Sequence, residues 1–260
     1  MPGYKDWIAE VDIKVDYYSA FMKAWIAFNA WYNFSGEIPA GTDKKCIEHI
    51  SEHTNRFKSY VTNLIESDST EGEAYRNSIA KLHESLLNAP ITTQEYLGIS
   101  QSISFSQVAV KNTNNRHSFD YYGCTYECKR ANGKTIVSVI QGRTPLFYYE
   151  QDDYSLDDLE QQSDFKALTE TRRNACKRCY KELKPYMVVN VLDTTGNQNA
   201  LKMGSYSFIN DIDKVSRAIV ILLYMLRCCL AHGDFVPDEA SSNVYKYAYE
   251  VLVPPLKKLK

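Results

Sequence analysis

The sequence has almost no excess of either charge: 30 Lys and Arg stand against 32 Asp and Glu, a net charge of −2. That balance excludes a chain that coats nucleic acid by bulk attraction, so any nucleic-acid surface has to be a local, salt-sensitive patch. Long apolar runs are missing too. The longest, residues 218–226, falls far below the roughly 20 residues of a membrane span, and Lys5, Asp6, Glu10 and Asp12 interrupt the N-terminal segment that a secretion signal would keep apolar. The expectation is a cytoplasmic protein with no membrane partner. A disulfide framework is also excluded: seven cysteines are an odd number, and Cys228 and Cys229 adjoin inside the most apolar segment, which suits reduced, buried thiols. No P-loop, dinucleotide fingerprint, serine-nucleophile elbow, internal repeat or low-complexity tail is found, and no cofactor is implied.

What is present is enough apolar material, 44% of 260 residues, for one large domain or a core domain with a sizeable insertion. Twenty tyrosines, clustered at Tyr121-Tyr122, Tyr148-Tyr149 and Tyr245, Tyr247 and Tyr249, suggest amphipathic surfaces. Residues 13–34 predict a long helix, because Tyr17, Phe21, Trp25, Phe28 and Tyr32 recur at steps of three and four until Ser35-Gly36. A second helix is predicted over residues 43–65 and a third over 73–87, stopped by Asn88-Ala89-Pro90. Between residues 91 and 151, β-branched and aromatic residues alternate with polar ones, and Asn132-Gly133 between two such runs predicts a hairpin. Helix is predicted again over 155–185, acidic at its start and basic at its end, as the helix dipole favours. After a loop at 192–202, further helices are predicted over 205–232 and from 238 to about 252, the last ended by Pro254-Pro255.

The most informative element is Arg227-Cys228-Cys229-Leu230-Ala231-His232-Gly233. RNA cleavage without a metal requires activation of a 2′-hydroxyl, protonation of the leaving 5′-oxygen and neutralisation of the phosphorane charge. Histidine can move the protons near neutral pH, and arginine can clamp the phosphate with two hydrogen bonds. On an undistorted helix residues five apart point about 140° apart, so convergence needs a distorted last turn, for which Gly233 is the candidate. The plainer alternative pairs Arg227 with a carboxylate such as Asp234 and leaves His232 capping its own helix.

This segment resembles the R-x4-6-H motif of the HEPN superfamily, and Trp25-Ile26-Ala27-Phe28-Asn29-Ala30-Trp31-Tyr32 resembles the first helix of several members. The resemblance covers roughly residues 10–88 and 155–253. It implies a mainly α fold, an HEPN-like antiparallel helical bundle with a small β-rich insertion: residues 1–90 as the first helices, 91–151 as the insertion and 152–260 as the C-terminal helices carrying the motif. It further implies a homodimer that joins two Arg/His sets in one groove, and a metal-independent endoribonuclease acting on RNA, with Arg227 and His232 catalytic. Such proteins serve in toxin–antitoxin, phage-defence and CRISPR systems, so an antitoxin or sensor protein is an expected partner. Active members often carry a polar residue directly after the arginine. Cys228 stands there instead, which leaves open a non-catalytic RNA- or protein-binding module.

Asn29 and Asn33, four apart on an aromatic helix face, are candidates to support the site or to satisfy nearby helix or loop carbonyls. The stripe of Arg173, Lys177, Arg178 and Lys181, with Tyr180 for stacking, is a candidate to track an RNA backbone or to be a solvated face. Cys124-x3-Cys128 and Cys176-x2-Cys179 have the composition of a zinc site, but the second pair falls inside a predicted helix, and His49 with His53 lacks the glutamate of a metalloprotease pattern, so no metal is assigned.

Overall fold

Nine residues in a row, 218–226, are buried on every side of one helix, which is the pattern of a core helix rather than a surface one. That helix, α8 (Ile212–His232), is the one described helix long and apolar enough to cross a membrane, and 67% of its apolar window is buried against the rest of the fold. The computed structural model describes residues 16–92 and 102–260. The predicted start of the first helix at residue 13 and the stretch 93–101 of the predicted β-rich segment lie outside them. The chain divides into two compact units, Met1–Val108 with Val189–Lys260, and Ala109–Val188.

In the first unit, α1 (Tyr17–Phe34) starts where the Asp16 carboxylate accepts the backbone N–H groups of Tyr18 and Ser19, and it buries Phe21, Ala24, Trp25, Phe28 and Tyr32. The predicted helix over 43–65 is two helices, α2 (Asp43–Glu52) and α3 (Arg56–Glu66). Asn55 makes the break. Its amide nitrogen donates to the carbonyls of Ile50 and His53, ending α2, while its side-chain oxygen accepts the Lys58 N–H, starting α3. After α4 (Thr70–Asn88) the chain passes into the second unit and returns as a short hairpin, β7 (Leu201–Met203) and β8 (Tyr206–Phe208). The helix predicted from 205 therefore begins later, at Ile212, where Asp211 accepts the Lys214 N–H. Phe208 is a buried strand residue instead of a helical one.

The last helix, α9 (Glu239–Lys257), runs through Pro254 and Pro255 instead of ending before them. It packs on α1 and α4, while α8 packs on α2 and α3. An aromatic cluster welds the helix ends together. Tyr245 lies edge-on to Tyr18 and Phe21, with centroids 5.1 and 5.5 Å away, and its hydroxyl donates to the Leu226 carbonyl at 2.9 Å. Lys58, 5% exposed, crosses from α3 to the start of α8, donating to the Ser51 carbonyl and pairing with Asp213.

The second unit is an antiparallel meander, β2 (Arg116–Tyr121), β3 (Cys124–Ala131), β4 (Lys134–Gln141) and β5 (Thr144–Gln151), in that spatial order. Asn132-Gly133 makes the expected two-residue hairpin between β3 and β4, both residues at positive φ. A separate pair, β1 (Val108–Lys111) with β6 (Tyr186–Val189), brings the ends of this segment together. The predicted helix over 155–185 is three helices, α5 (Leu156–Gln161), α6 (Ser163–Ala167) and α7 (Glu170–Lys181). Leu159, Phe165 and Leu168 all enter one core beneath the sheet. On a single helix Phe165 and Leu168 would point about 240° and 180° around from Leu159, so the chain has to break to bury all three.

The expectation of a mainly α, HEPN-like bundle with a small β-rich insertion is thus overturned. Helix accounts for 51% of the described residues and strand for 20%, a mixed α/β composition. The excess strand comes from a full four-stranded sheet with its own helices and from β7–β8, whose three-residue strands carry too little alternation to be read from sequence.

Candidate functional site

Gly233 caps α8 in the left-handed conformation, φ 70 and ψ 34, and both its N–H and that of Asp234 return to the Cys229 carbonyl. The cap is the one foreseen, but it falls one residue too late to bend the motif. The helix is unbroken through His232, so the five-residue step keeps Arg227 and His232 about 140° apart around the axis and roughly 7.5 Å apart along it. The last turn does not bring them together within one chain.

Arg227 is half-buried, and its partner is Asp43, the first residue of α2, at 3.3 Å rather than Asp234. The Asp43 carboxylate also accepts the Asn29 amide at 3.3 Å, and that amide donates to the Tyr32 hydroxyl as well. Asn33 in turn donates to the carbonyl and side-chain oxygen of Asn29. Asn29 therefore reaches Arg227 through Asp43, and Asn33 through Asn29. Burial, with the Asp43 charge second, pushes the Tyr32 phenol well above its usual range, keeping it a neutral hydrogen-bonding group. Tyr224, one turn before the arginine, is held neutral in the same way, by burial and then by Cys228, to which its side chain is hydrogen-bonded. The polar residue absent from the position after the arginine is thus replaced by a thiol turned toward a phenol.

The Arg227 Nε is buried and has no hydrogen-bond partner among the described residues. With one Nη on the Asp43 carboxylate and the Nε covered, an anion would meet the partly exposed guanidinium through its Nη groups. His232 is exposed and has no hydrogen-bond or ion-pair partner among the described residues, so its imidazole is open to contact by a ligand.

No known family model, curated protein or solved structure matches the chain. The site is therefore argued from its own residues.

The basic stripe lies on α7 in the second unit, and much of it serves that unit's fold. Arg173 donates to the Lys166 and Leu168 carbonyls, closing the end of α6, and Lys177 pairs with Glu160. Arg178 lies over the Phe119 ring at 4.3 Å and the Tyr121 ring at 5.3 Å. Tyr180 is fully buried and stacked on Tyr154, so it offers no face to a base. Of the four residues singled out, only Lys181 is exposed and uncommitted among the described residues.

Cys124, Cys128, Cys176 and Cys179 are all buried in the core between the sheet and α7. The thiols of Cys176 and Cys128 favour the protonated form: burial pushes Cys176 up to about 12, and Cys128 is raised by its hydrogen bond to Cys179 and by burial. Among the described residues no group of three or more His, Cys, Asp or Glu side chains is arranged to hold a metal. His49 and His53 stack on one another at 4.2 Å, and His53 contacts the His49 carbonyl as part of the α2 cap.

Sequence reasoning missed Asp43, Tyr32 and Tyr224. Tyr32 had a usable signal, three residues from Asn29 and so on the same helix face. Asp43 had none: an acid at the start of a helix explains itself by the dipole, and only the packing of α2 on α8 sets it opposite Arg227.

Proposed function

We propose that the protein engages RNA through the edge formed by Arg227 and His232 and acts as a metal-independent endoribonuclease when two copies meet there. One observation carries this reading: a partly exposed arginine, fixed by Asp43, stands five residues before an exposed and unpartnered histidine at the same helix end. Because one chain keeps the two side chains on different faces, a phosphate held by Arg227 of one copy would meet His232 of a second. Arg227 neutralises the charge gathering on the phosphate, and His232 transfers the proton between the 2′-hydroxyl and the leaving 5′-oxygen. The products are a 2′,3′-cyclic phosphate and a 5′-hydroxyl. A toxin–antitoxin or phage-defence role, with an antitoxin or sensor partner, follows from the HEPN resemblance alone, and the cytoplasmic setting from the cysteine usage and the short apolar runs of the sequence.

The test is incubation with total RNA and tRNA in EDTA, comparing wild type with Arg227→Ala and His232→Ala. Loss of cleavage in both variants is the expected result, and equal cleavage by all three proteins rejects the assignment. A second reading, a non-catalytic RNA- or protein-binding module, is favoured by the Asp43–Arg227 ion pair, which already neutralises the guanidinium that catalysis would use. It predicts binding that survives His232→Ala and is lost when residues 109–188 are deleted.

A further inference from the structure

A groove of about 800 Å³ opens between α1 and the C-terminal half of α9. Its volume falls within the roughly 300–1,000 Å³ of small-molecule sites. The wall from α1 is made of Ala20, Ala24 and Ala27, at steps of four and three, with Trp31 one turn further on, and Val253 and Leu256 of α9 face them. Three alanines in line are the reason there is space, since longer side chains at those positions would fill it. Ala27 and Asn29 are two residues apart on a helix, about 200° around, so this groove faces away from the Arg227 cluster and does not rest on the RNA reading.

The charges around it are one-sided. Lys23, Lys257 and Lys260 line the groove, and none forms a salt bridge among the described residues. The one carboxylate among the lining side chains, Asp16, caps α1 by accepting the Tyr18 and Ser19 N–H groups at 3.1 and 3.2 Å and keeps its negative charge, which Lys23 partly offsets. A ligand therefore meets an aliphatic floor edged by the side chains of three lysines against one carboxylate, an excess of positive charge carried by Lys257 and Lys260. A nucleotide base fits this lining poorly, because Ser19 and Tyr249 are the only uncharged side chains with a hydroxyl to address its edges and Trp31 already stacks one face on Phe28, with centroids 5.7 Å apart. A sugar would leave its hydroxyls unpaired against alanine and leucine.

We infer that this groove binds a long-chain carboxylate, with its hydrocarbon tail along the alanine wall and its carboxylate among Lys23, Lys257 and Lys260. Burial of the tail supplies the affinity and the lysines select the anionic head.

Isothermal titration of the whole chain with octanoate, decanoate and dodecanoate, each below its micelle concentration, tests this. One saturable site per chain is expected, tightening by roughly fifteenfold for each two-carbon step, which is the value of about 0.8 kcal/mol per buried methylene. Ala27→Trp, at an exposed position that fills the groove without touching the core, is expected to weaken dodecanoate at least tenfold. The double change Lys257→Glu with Lys260→Glu is expected to do the same while leaving dodecanol unaffected. Circular dichroism of each variant separates loss of the site from loss of the fold. Non-saturable uptake, equal affinity for dodecylamine and dodecanoate, or affinity unchanged by Ala27→Trp would each overturn the proposal. So would a decauridylate that binds and is displaced by Ala27→Trp while dodecanoate does not bind, binding to anionic phospholipid vesicles without binding of the monomeric acid, or a dimer by sedimentation that Ala27→Trp dissociates.

Discussion

Replacing Asp43 by Asn separates the structural role of Arg227 from its proposed contact with RNA. The ion pair is 3.3 Å long, with side chains 27% and 35% exposed, so solvent screens it and its worth is about 0.2–1 kcal/mol. Asp43 also lies in the first turn of α2, where a negative charge adds about 0.3–1 kcal/mol through the helix dipole. The amide oxygen of an asparagine can still accept the Asn29 bond, so that contact is retained. Together the loss is about 0.5–2 kcal/mol, and at about 2–4 °C per kcal/mol for a chain of this size the melting temperature should fall by roughly 1–8 °C. RNA binding should move the other way. Freed of its counter-charge, Arg227 can neutralise one more phosphate, steepening the dependence of log K on log salt by about 0.7 for single-stranded RNA. Fluorescence anisotropy with a labelled single-stranded RNA over a series of KCl concentrations measures this directly. Several-fold tighter binding at low salt with a steeper slope is the predicted result. Unchanged or weaker binding with an unchanged slope, in a variant that melts as calculated, would mean that the arginine does not face RNA.

Three further outcomes follow from the packing. Gly72→Ala should destabilise the first unit by about 1–3 kcal/mol in urea denaturation, because a Cβ there would come within 2.3 Å of the Ser67 carbonyl oxygen and 2.9 Å of the Leu64 carbonyl oxygen. Tyr245→Phe removes the bond to the Leu226 carbonyl and should cost about 1 kcal/mol, with hydrogen exchange rising selectively in the last turns of α8. His83 is buried among Phe105, Tyr206 and Phe208, and burial lowers its pKa. The folded state therefore binds fewer protons than the unfolded chain, so its contribution to stability is present at neutral pH and declines as pH falls below the ordinary histidine value of about 6.5. Comparing wild type with His83→Phe by thermal melts at pH 7 and pH 5 should show a smaller acid-induced drop in the variant, and equal drops would contradict the assignment.

Where local chemistry decides structure, the sequence was readable. The α1 face, the Asn132-Gly133 turn, the Gly233 cap and the burial of Cys229 follow from periodicity, positive φ and apolarity, each a property of a few neighbouring residues. The breaks were not. Asn55 reads as one more polar position on a helix until its side chain is seen bonding both helix ends, and Leu159, Phe165 and Leu168 impose a broken helix only once the sheet they pack against is known. The same difference divides the candidate site. Arg227, His232, Asn29 and Asn33 were visible as chemistry-bearing residues, but Asp43 became the arginine's partner through tertiary packing, and the stripe on α7 proved to be largely engaged in closing α6, pairing with Glu160 and covering aromatic rings of β2. The α8 geometry also changes the mechanistic question. An intact last turn keeps the guanidinium and imidazole of one chain apart, so the proposed cleavage requires them to meet between chains.

That point is tested most directly by mixing. Arg227→Ala and His232→Ala chains, each purified, folded by circular dichroism and inactive alone, are combined at equal concentration, allowed to exchange subunits and assayed on RNA in EDTA. The proposal predicts that cleavage returns to a fraction of the wild-type rate, because the mixed pair rebuilds one groove holding an arginine from one copy and a histidine from the other. A mixture that stays inactive despite demonstrated subunit exchange, or single variants as active as wild type, would contradict it.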